Sequence, residues 1–140
     1  MAPIDETLRT VLTTTRVIAL VGWSPKPDRP SHGVAAYLAR RGYTVIPINP
    51  GQAGTVTDWG QTVLANLSDI VGPVDMVDIF RNADAVPEVV DAALTHLAGL
   101  KTIWMQLGVV NEAAAAKARA AGVTVVMDRC PAIEIPRLGL

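Results

Sequence analysis

Apolar positions along this chain recur in two rhythms. Ile4, Leu8, Val11 and Leu12 fall on one face of a 3.6-residue spiral, which predicts a helix over residues 4–14. Residues 17–21 are a continuous apolar run of strand length. Helical spacing returns over residues 31–41, with Val34, Ala35 and Leu38 inward, Arg40 and Arg41 in the last turn and Gly42 as the stop. Residues 44–48 predict a second strand, the Gly/Thr/Asn-rich 49–62 a loop, 66–70 a short helical turn and 74–80 a third strand. Asp84 stands where the next helix needs a cap, and Pro87 is tolerable in its first turn. Val86, Val90, Ala93, Leu94 and Leu97 make its buried face and Gly99 ends it. Residues 102–106 predict a strand. Asn111 caps an alanine-rich helix, with Glu112 near its positive end and Gly122 past its stop. Residues 123–127 read as the last strand, and the tail 128–140 is expected to pack over an edge or end of the sheet.

Strands alternating with helices predict α/β architecture with a parallel sheet covered on both faces. The strands carry apolar residues on both faces, as double coverage requires. The expected fold is a Rossmann-like three-layer α/β/α arrangement, a mostly parallel sheet of about five strands in one domain over residues 1–140.

Composition narrows the function classes. Half of the residues are hydrophobic, 18% are charged and 4% are aromatic, which excludes disorder and predicts an aliphatic core. The net charge of −1 supplies no global field toward nucleic acid or membrane, so neither is an expected partner and any anion site must be local. No apolar run approaches the ~20 residues of a spanning helix. Asp5 and Glu6 stand where a signal peptide would be basic and then apolar, and the single cysteine, Cys130, has no internal partner. Together these features point to a cytoplasmic protein.

The candidate chemistry sits in "ALVGWSPKPDRPSHGVAAYL", residues 19–38. In open α/β sheets ligands lie beyond the carboxyl ends of the strands, where the strand order reverses. A strand-to-helix turn there offers backbone N–H groups and a helix N-terminus to an anion. Gly22 permits close backbone approach, Ser24 and Ser31 add hydroxyls, and Lys26 and Arg29 add charge. The loop is not a dinucleotide fingerprint: of Gly-x-Gly-x-x-Gly only Gly22 is in place, and strand 2 ends at Asn49 with no ribose-binding carboxylate. It lacks the Gly-Lys-Ser/Thr of a P-loop as well. The bland alternative is that Pro25, Pro27 and Pro30 only stiffen a loop whose Arg29 pairs with a surface carboxylate.

"VGWSPKPDRPSHGVAAYLARRGYTVIPINPG", "LSDIVGPVDMVDIFR", "IWMQLGVVNEAAAAKARAAGVTVVMDRC" and the final "IEIPRL" together resemble the small stand-alone CoA-binding-domain proteins. These are related to the N-terminal CoA-binding domain of the succinyl-CoA synthetase alpha subunit and of ADP-forming acyl-CoA synthetases. The resemblance covers nearly the whole chain in order. It implies a Rossmann-like fold that binds coenzyme A, or an acyl-CoA, through its phosphates. By position it implies a phosphate loop of Gly22, Trp23, Ser24, Pro25 and Lys26, with Arg29, Pro30 and Ser31 at the helix start. Asn49 and Pro50 would border the adenosine, Phe80 and Arg81 would flank the nucleotide from the other side, and Gln106 and Gly108 would face the same crevice. A 3′-phosphate would be repelled by the carboxylate that strand 2 lacks. Trp23 stands where relatives carry a small residue, as a platform for the ligand or a plug in an empty site. The segment "GQAGTVTDWGQTVLANL" carries less charge than is usual in relatives.

Catalytic residues are not expected. The related synthetases need a phosphorylatable histidine and a nucleotide-grasp domain, neither of which is expected here. His32 either donates to a phosphate or is a cap-region histidine, and His96 reads as structural. Cys130 follows Arg129 with no His–Asp partner nearby, so it reads as a small buried side chain; a mixed disulfide with the CoA thiol is its sharper alternative. Asp75 and Asp78 fall on opposite faces of a strand, and no metal is expected. The expected function is a non-catalytic CoA-binding or sensing module. The rivals are an NADP- or acyl-CoA-using enzyme and a ligand-free interaction protein. A homodimer is left open, with no exposed stripe to mark its surface.

Overall fold

Five parallel strands carry the fold of the computed structural model, which describes residues 3–140. They are β1 (Val17–Val21), β2 (Thr44–Ile48), β3 (Met76–Ile79), β4 (Thr102–Met105) and β5 (Thr124–Val126), in the order β2-β1-β3-β4-β5. The helices are α1 (Pro3–Thr14), α2 (Pro30–Arg40), α3 (Val86–His96), α4 (Glu112–Ala120) and α5 (Pro131–Arg137). This is the doubly wound Rossmann-like α/β fold that the alternation of patterns predicts. Among the described residues, no helix is long and apolar enough to cross a membrane.

Strand side chains alternate between two cores, because successive residues point to opposite faces. Ala19, Val21, Val77, Ile79, Ile103 and Met105 face α3 and α4. Ile18, Leu20, Met76, Trp104 and Val126 face α1, α2 and α5. The β1–β2 connection therefore lies on one side and the later crossovers on the other, with the order reversing between β1 and β3. Pairing runs Val21↔Ile48, Val21↔Ile79 and Ile79↔Met105, so the strand ends form one level rim.

Four local expectations change. The third strand is shorter than 74–80, because Asp75 turns its carboxylate onto the Arg16 and Val17 amides, both at 2.9 Å, and ties down the start of β1. Asp84 does not cap α3. It sits inside a 3-10 turn, Ala83–Ala85, and the cap position is Ala85, which has no side-chain oxygen to offer. Ile4 is 39% exposed, because the covered stripe of α1 is Leu8, Val11 and Leu12. The tail covers a face rather than an edge or end: α5 packs on α2 and α1, and Ile135 and Leu138 join the second core. Glu134 locks it there. Although buried, it accepts from Arg129 at 2.7 Å and from Arg137, which also reaches Asp5 of α1 at 2.7 Å.

Asn111 does cap α4, its Oδ1 accepting from the Ala114 amide at 3.0 Å.

Candidate functional site

A crevice opens along the rim where the strand order reverses. On the α2/α5 side it forms a cavity of about 760 Å³ whose walls include Gly22, Trp23, Ser24, Lys26, Arg29, Pro30, Ser31, Asn49, Phe80, Arg81 and Gln106. A second cavity of about 660 Å³ lies toward α3 and shares Gly22, Asn49 and Arg81 with the first. Pro50 and His96 line this second space. Pro25, His32 and Gly108 line neither cavity. Both volumes fall in the range of small-molecule sites, about 300–1,000 Å³.

Backbone geometry at the rim explains Gly22. Its φ is +89°, and a Cβ there would lie 2.2 Å from the Phe80 carbonyl oxygen. β1 and β3 therefore approach more closely than any side chain would allow. The amides of Gly22 and Trp23 both donate to the Ile48 carbonyl, at 3.0 and 3.3 Å, which closes the loop against β2.

The loop consequently offers fewer free backbone donors than its position implies. Two amides are spent on Ile48, and the three prolines carry none. The Ser24 and Ser31 amides make no hydrogen bond among the described residues. Ser24 Oγ accepts from the Lys26 amide at 3.2 Å, leaving its proton to donate outward. Arg29 occupies the cap position of α2 but makes no capping bond, so its guanidinium is not committed to the helix. Lys26 and Arg29 are exposed, and among the described residues neither forms an ion pair. The surface carboxylate partner that the bland reading gave Arg29 is absent from the described residues. Charge for an anion thus comes mainly from side chains, held beside a helix N-terminus.

His32 and Trp23 brace this loop. The Trp23 ring is 3% exposed, packs in the second core and stacks on His32, with centroids 5.8 Å apart and planes 28° from parallel. His32 Nδ1 lies 3.0 Å from the Ser24 carbonyl. Asn49 is engaged on both ends of its amide, donating to the Trp23 carbonyl at 2.6 Å and accepting from the Gly51 amide at 2.9 Å. Its structural work is to clip the end of β2 to the phosphate-loop candidate. Gly108 donates its amide to Asp128 at 2.7 Å, and Asp128 is the one non-glycine with positive φ, 57°, among the described residues.

Part of the wall of the larger cavity is apolar. Leu107, Val109, Cys130 and Ile133 join its wall, with Leu107 and Ile133 more than half exposed. Sequence reasoning passed over Leu107, Val109 and Ile133. The only signal was negative: apolar residues beside turns, without an element to bury them.

Several buried polar atoms have no partner among the described residues. Trp23 Nε1, Gln106 Oε1 and both Asp78 carboxylate oxygens make no hydrogen bond among the described residues. Asp78 pairs in register with Leu20 and Trp104, two residues below Phe80 and on the same face of the sheet. Burial pushes its carboxyl well above the ordinary aspartate range. Asp75, by contrast, spends its carboxylate on backbone amides and Lys101, so the two acids share no site.

Comparison with known proteins agrees with this architecture. The family model of the CoA binding domain matches residues 16–136. YneT of Bacillus subtilis (strain 168) is 36% identical over 129 residues, which is 91% of each chain. A hypothetical protein from Pyrococcus horikoshii OT3 superposes with a TM-score of 0.88 at 36% identity, over 99% of this chain and 96% of that one. The dinucleotide forming acetyl-coenzyme A synthetase 1 of Ca. Korarchaeum cryptofilum, in complex with phosphate and ADP, superposes with a TM-score of 0.66 at 25% identity. That match covers 78% of this chain but only 25% of the synthetase. With the match spanning both the phosphate-loop candidate and the apolar residues of the cavity wall, the chain belongs to the CoA binding domain family.

Proposed function

We propose that the chain binds coenzyme A or an acyl-CoA in the rim crevice, as a binding or sensing module that catalyses no reaction itself. The observation that carries this reading is the mixed lining of the larger cavity in a chain of the CoA binding domain family: Lys26 and Arg29, without ion-pair partners among the described residues, share its wall with apolar side chains. CoA is mixed in the same way. Its phosphates require charge-assisted donors, which Lys26, Arg29, Ser24 and Ser31 supply. Its pantetheine arm, or an acyl group beyond it, suits Leu107, Val109 and Ile133. The second cavity, with Pro50 and Arg81, is of a size to take the adenosine. Because prolines stiffen the loop, less ordering entropy opposes binding.

The absence of a carboxylate at the end of β2 favours a phosphate-bearing ribose over NAD. Trp23 packs into the core and leaves the cavity open, which weighs against a plugged, ligand-free protein.

Isothermal titration with CoA, dephospho-CoA, NADP, NAD and ADP tests the proposal. CoA should bind most tightly. Tighter binding of NADP would overturn the assignment, and no binding of any of the five at millimolar concentration would favour the interaction-protein reading. Replacing Arg29 by Ala should cost roughly 1.5–3 kcal/mol per charge-assisted bond lost. A greater loss for CoA than for dephospho-CoA would locate Arg29 on the 3′-phosphate, and equal losses would locate it on the pyrophosphate.

A further inference from the structure

Two side chains fix the backbone of the charged loop from either end. Asn49 Nδ2 donates to the Trp23 carbonyl at 2.6 Å, and its Oδ1 accepts from the Gly51 amide at 2.9 Å, so the orientation of the side-chain amide is settled. His32 Nδ1 lies 3.0 Å from the Ser24 carbonyl. A carbonyl oxygen only accepts, so this nitrogen carries the proton and the neutral ring is the Nδ1–H tautomer. The ring has a firm seat. It belongs to the first turn of α2 and stacks on Trp23, which is 3% exposed. Two consecutive carbonyls are thus each taken by a side-chain N–H.

These bonds set the direction of the peptide unit between Trp23 and Ser24. No peptide bond among the described residues is cis. A trans peptide carries its N–H opposite its C=O, so drawing the Trp23 carbonyl to Asn49 turns the Ser24 N–H away from Asn49. The Gly22 and Trp23 amides are spent on Ile48, whereas the Ser24 amide has no partner among the described residues. Ser24 lines the larger cavity, and its Oγ accepts from the Lys26 amide at 3.2 Å and keeps a proton to donate. A carbonyl facing an anion repels it, whereas an N–H and an O–H on one residue can hold it together. We propose that the Ser24 N–H is a phosphate donor of the crevice and that Asn49 and His32 are positioning residues, which keep the Trp23 and Ser24 carbonyls off the ligand and so present that N–H. This rests on the CoA reading and deepens it: Asn49 and His32 act through the loop rather than on the ligand. A donor oriented before binding adds no ordering cost when the phosphate arrives.

The test uses the intact, isotope-labelled chain in nuclear magnetic resonance. Without ligand, at about pH 9 and so above the ordinary histidine range, His32 should show a protonated Nδ1 and a bare Nε2. The opposite tautomer overturns the role of His32. With saturating CoA, the Ser24 amide proton should show the largest downfield shift among the loop amides. An unmoved Ser24 amide on a chain that binds CoA overturns the proposal and leaves the CoA reading standing. His32→Phe keeps a ring to stack on Trp23 but loses the donor, and Asn49→Ala loses the other donor. Each should weaken CoA about tenfold or more by isothermal titration, under conditions where urea curves show the variant folded, and each should shrink the Ser24 shift. Unchanged affinity in both variants overturns the positioning role. So does a loss of affinity with the Ser24 shift intact, which a merely structural defect would produce. No binding of CoA by the unsubstituted chain removes the underlying reading and the proposal with it.

Discussion

Replacing Gly22 by Ala probes the rim on which the whole crevice is built. The new Cβ would lie 2.2 Å from the Phe80 carbonyl oxygen, 3.0 Å from its carbonyl carbon and 3.3 Å from the Phe80 Cβ, at a φ of +89°. Backbone on both sides resists moving. The Gly22 amide is held by Ile48 at 3.0 Å, and the Phe80 amide by the Val21 carbonyl at 2.8 Å. The left-handed conformation alone costs a side chain roughly 1–2 kcal/mol. Relieving the clash means parting β1 from β3 at their ends and giving up the Phe80–Val21 hydrogen bond, about 1 kcal/mol more with added packing loss. The sum is ~3 kcal/mol, a large share of the ~5–15 kcal/mol typical of a domain. Gly42 is the internal control: its φ is +97°, but nothing lies within 4 Å of the Cβ it would gain. Gly42→Ala should therefore show the conformational cost without the clash. In urea, followed by tryptophan fluorescence, a loss of ~3 kcal/mol lowers the midpoint by about 1.5 M when m is about 2 kcal/mol/M. Gly42→Ala should shift it by roughly half as much. CoA titration should weaken for Gly22→Ala and not for Gly42→Ala. Equal midpoints for the two variants would refute the close-approach argument.

Three further outcomes are expected. Burial disfavours the charged form of Asp78, so its folded pKa is raised; its contribution to stability is complete below the ordinary aspartate pKa of about 4 and is lost as pH rises through the folded value. Asp78→Asn should remove that decline, so urea midpoints of the two proteins diverge with rising pH, and parallel curves would sink the assignment. For Glu134, burial pushes the carboxyl up, but hydrogen bonds from Arg137 and Arg129 outweigh it and the net shift is down. Its contribution is therefore present above the ordinary glutamate pKa and lost as pH falls below it. Glu134→Gln should flatten the acid side of the stability profile, and an unchanged acid limb would contradict this. Asn111→Ala removes a cap at 3.0 Å and a bond to the Ala83 carbonyl at 3.0 Å, and should cost about 1 kcal/mol by thermal unfolding, with no effect on CoA affinity.

Much of the layering was legible in the residues. β1 and β2 fall where continuous apolar runs stand, because strands covered on both faces need no polar alternation. Asn111 and Gly122 bracket α4 because capping and left-handed stops are chemistry within a few residues. The failures involved competition from distant groups. Asp84 has cap chemistry, but the chain turns through Ala83–Ala85 first, with Asn111 reaching over to hold the Ala83 carbonyl. Asn49, expected to border the adenosine, lines both cavities with its side-chain amide already engaged by the Trp23 carbonyl and the Gly51 amide. Of the backbone N–H groups the turn offers, those of Gly22 and Trp23 are taken by the Ile48 carbonyl.

The sequence by itself determined the alternation of elements, the reversal loop with its cations, and the absence of a dinucleotide fingerprint, because periodicity, proline and charge act over a few residues. Only the tertiary structure decided what the loop faces. Packing α5 on α2 brings Cys130 and Ile133 into one cavity wall with Lys26 and Arg29, residues about a hundred positions apart in the chain. It decided as well that Trp23 belongs to the core, where the stack on His32 leaves the cavity open. A cavity is the space left when non-local segments pack, and no local pattern of residues encodes its walls.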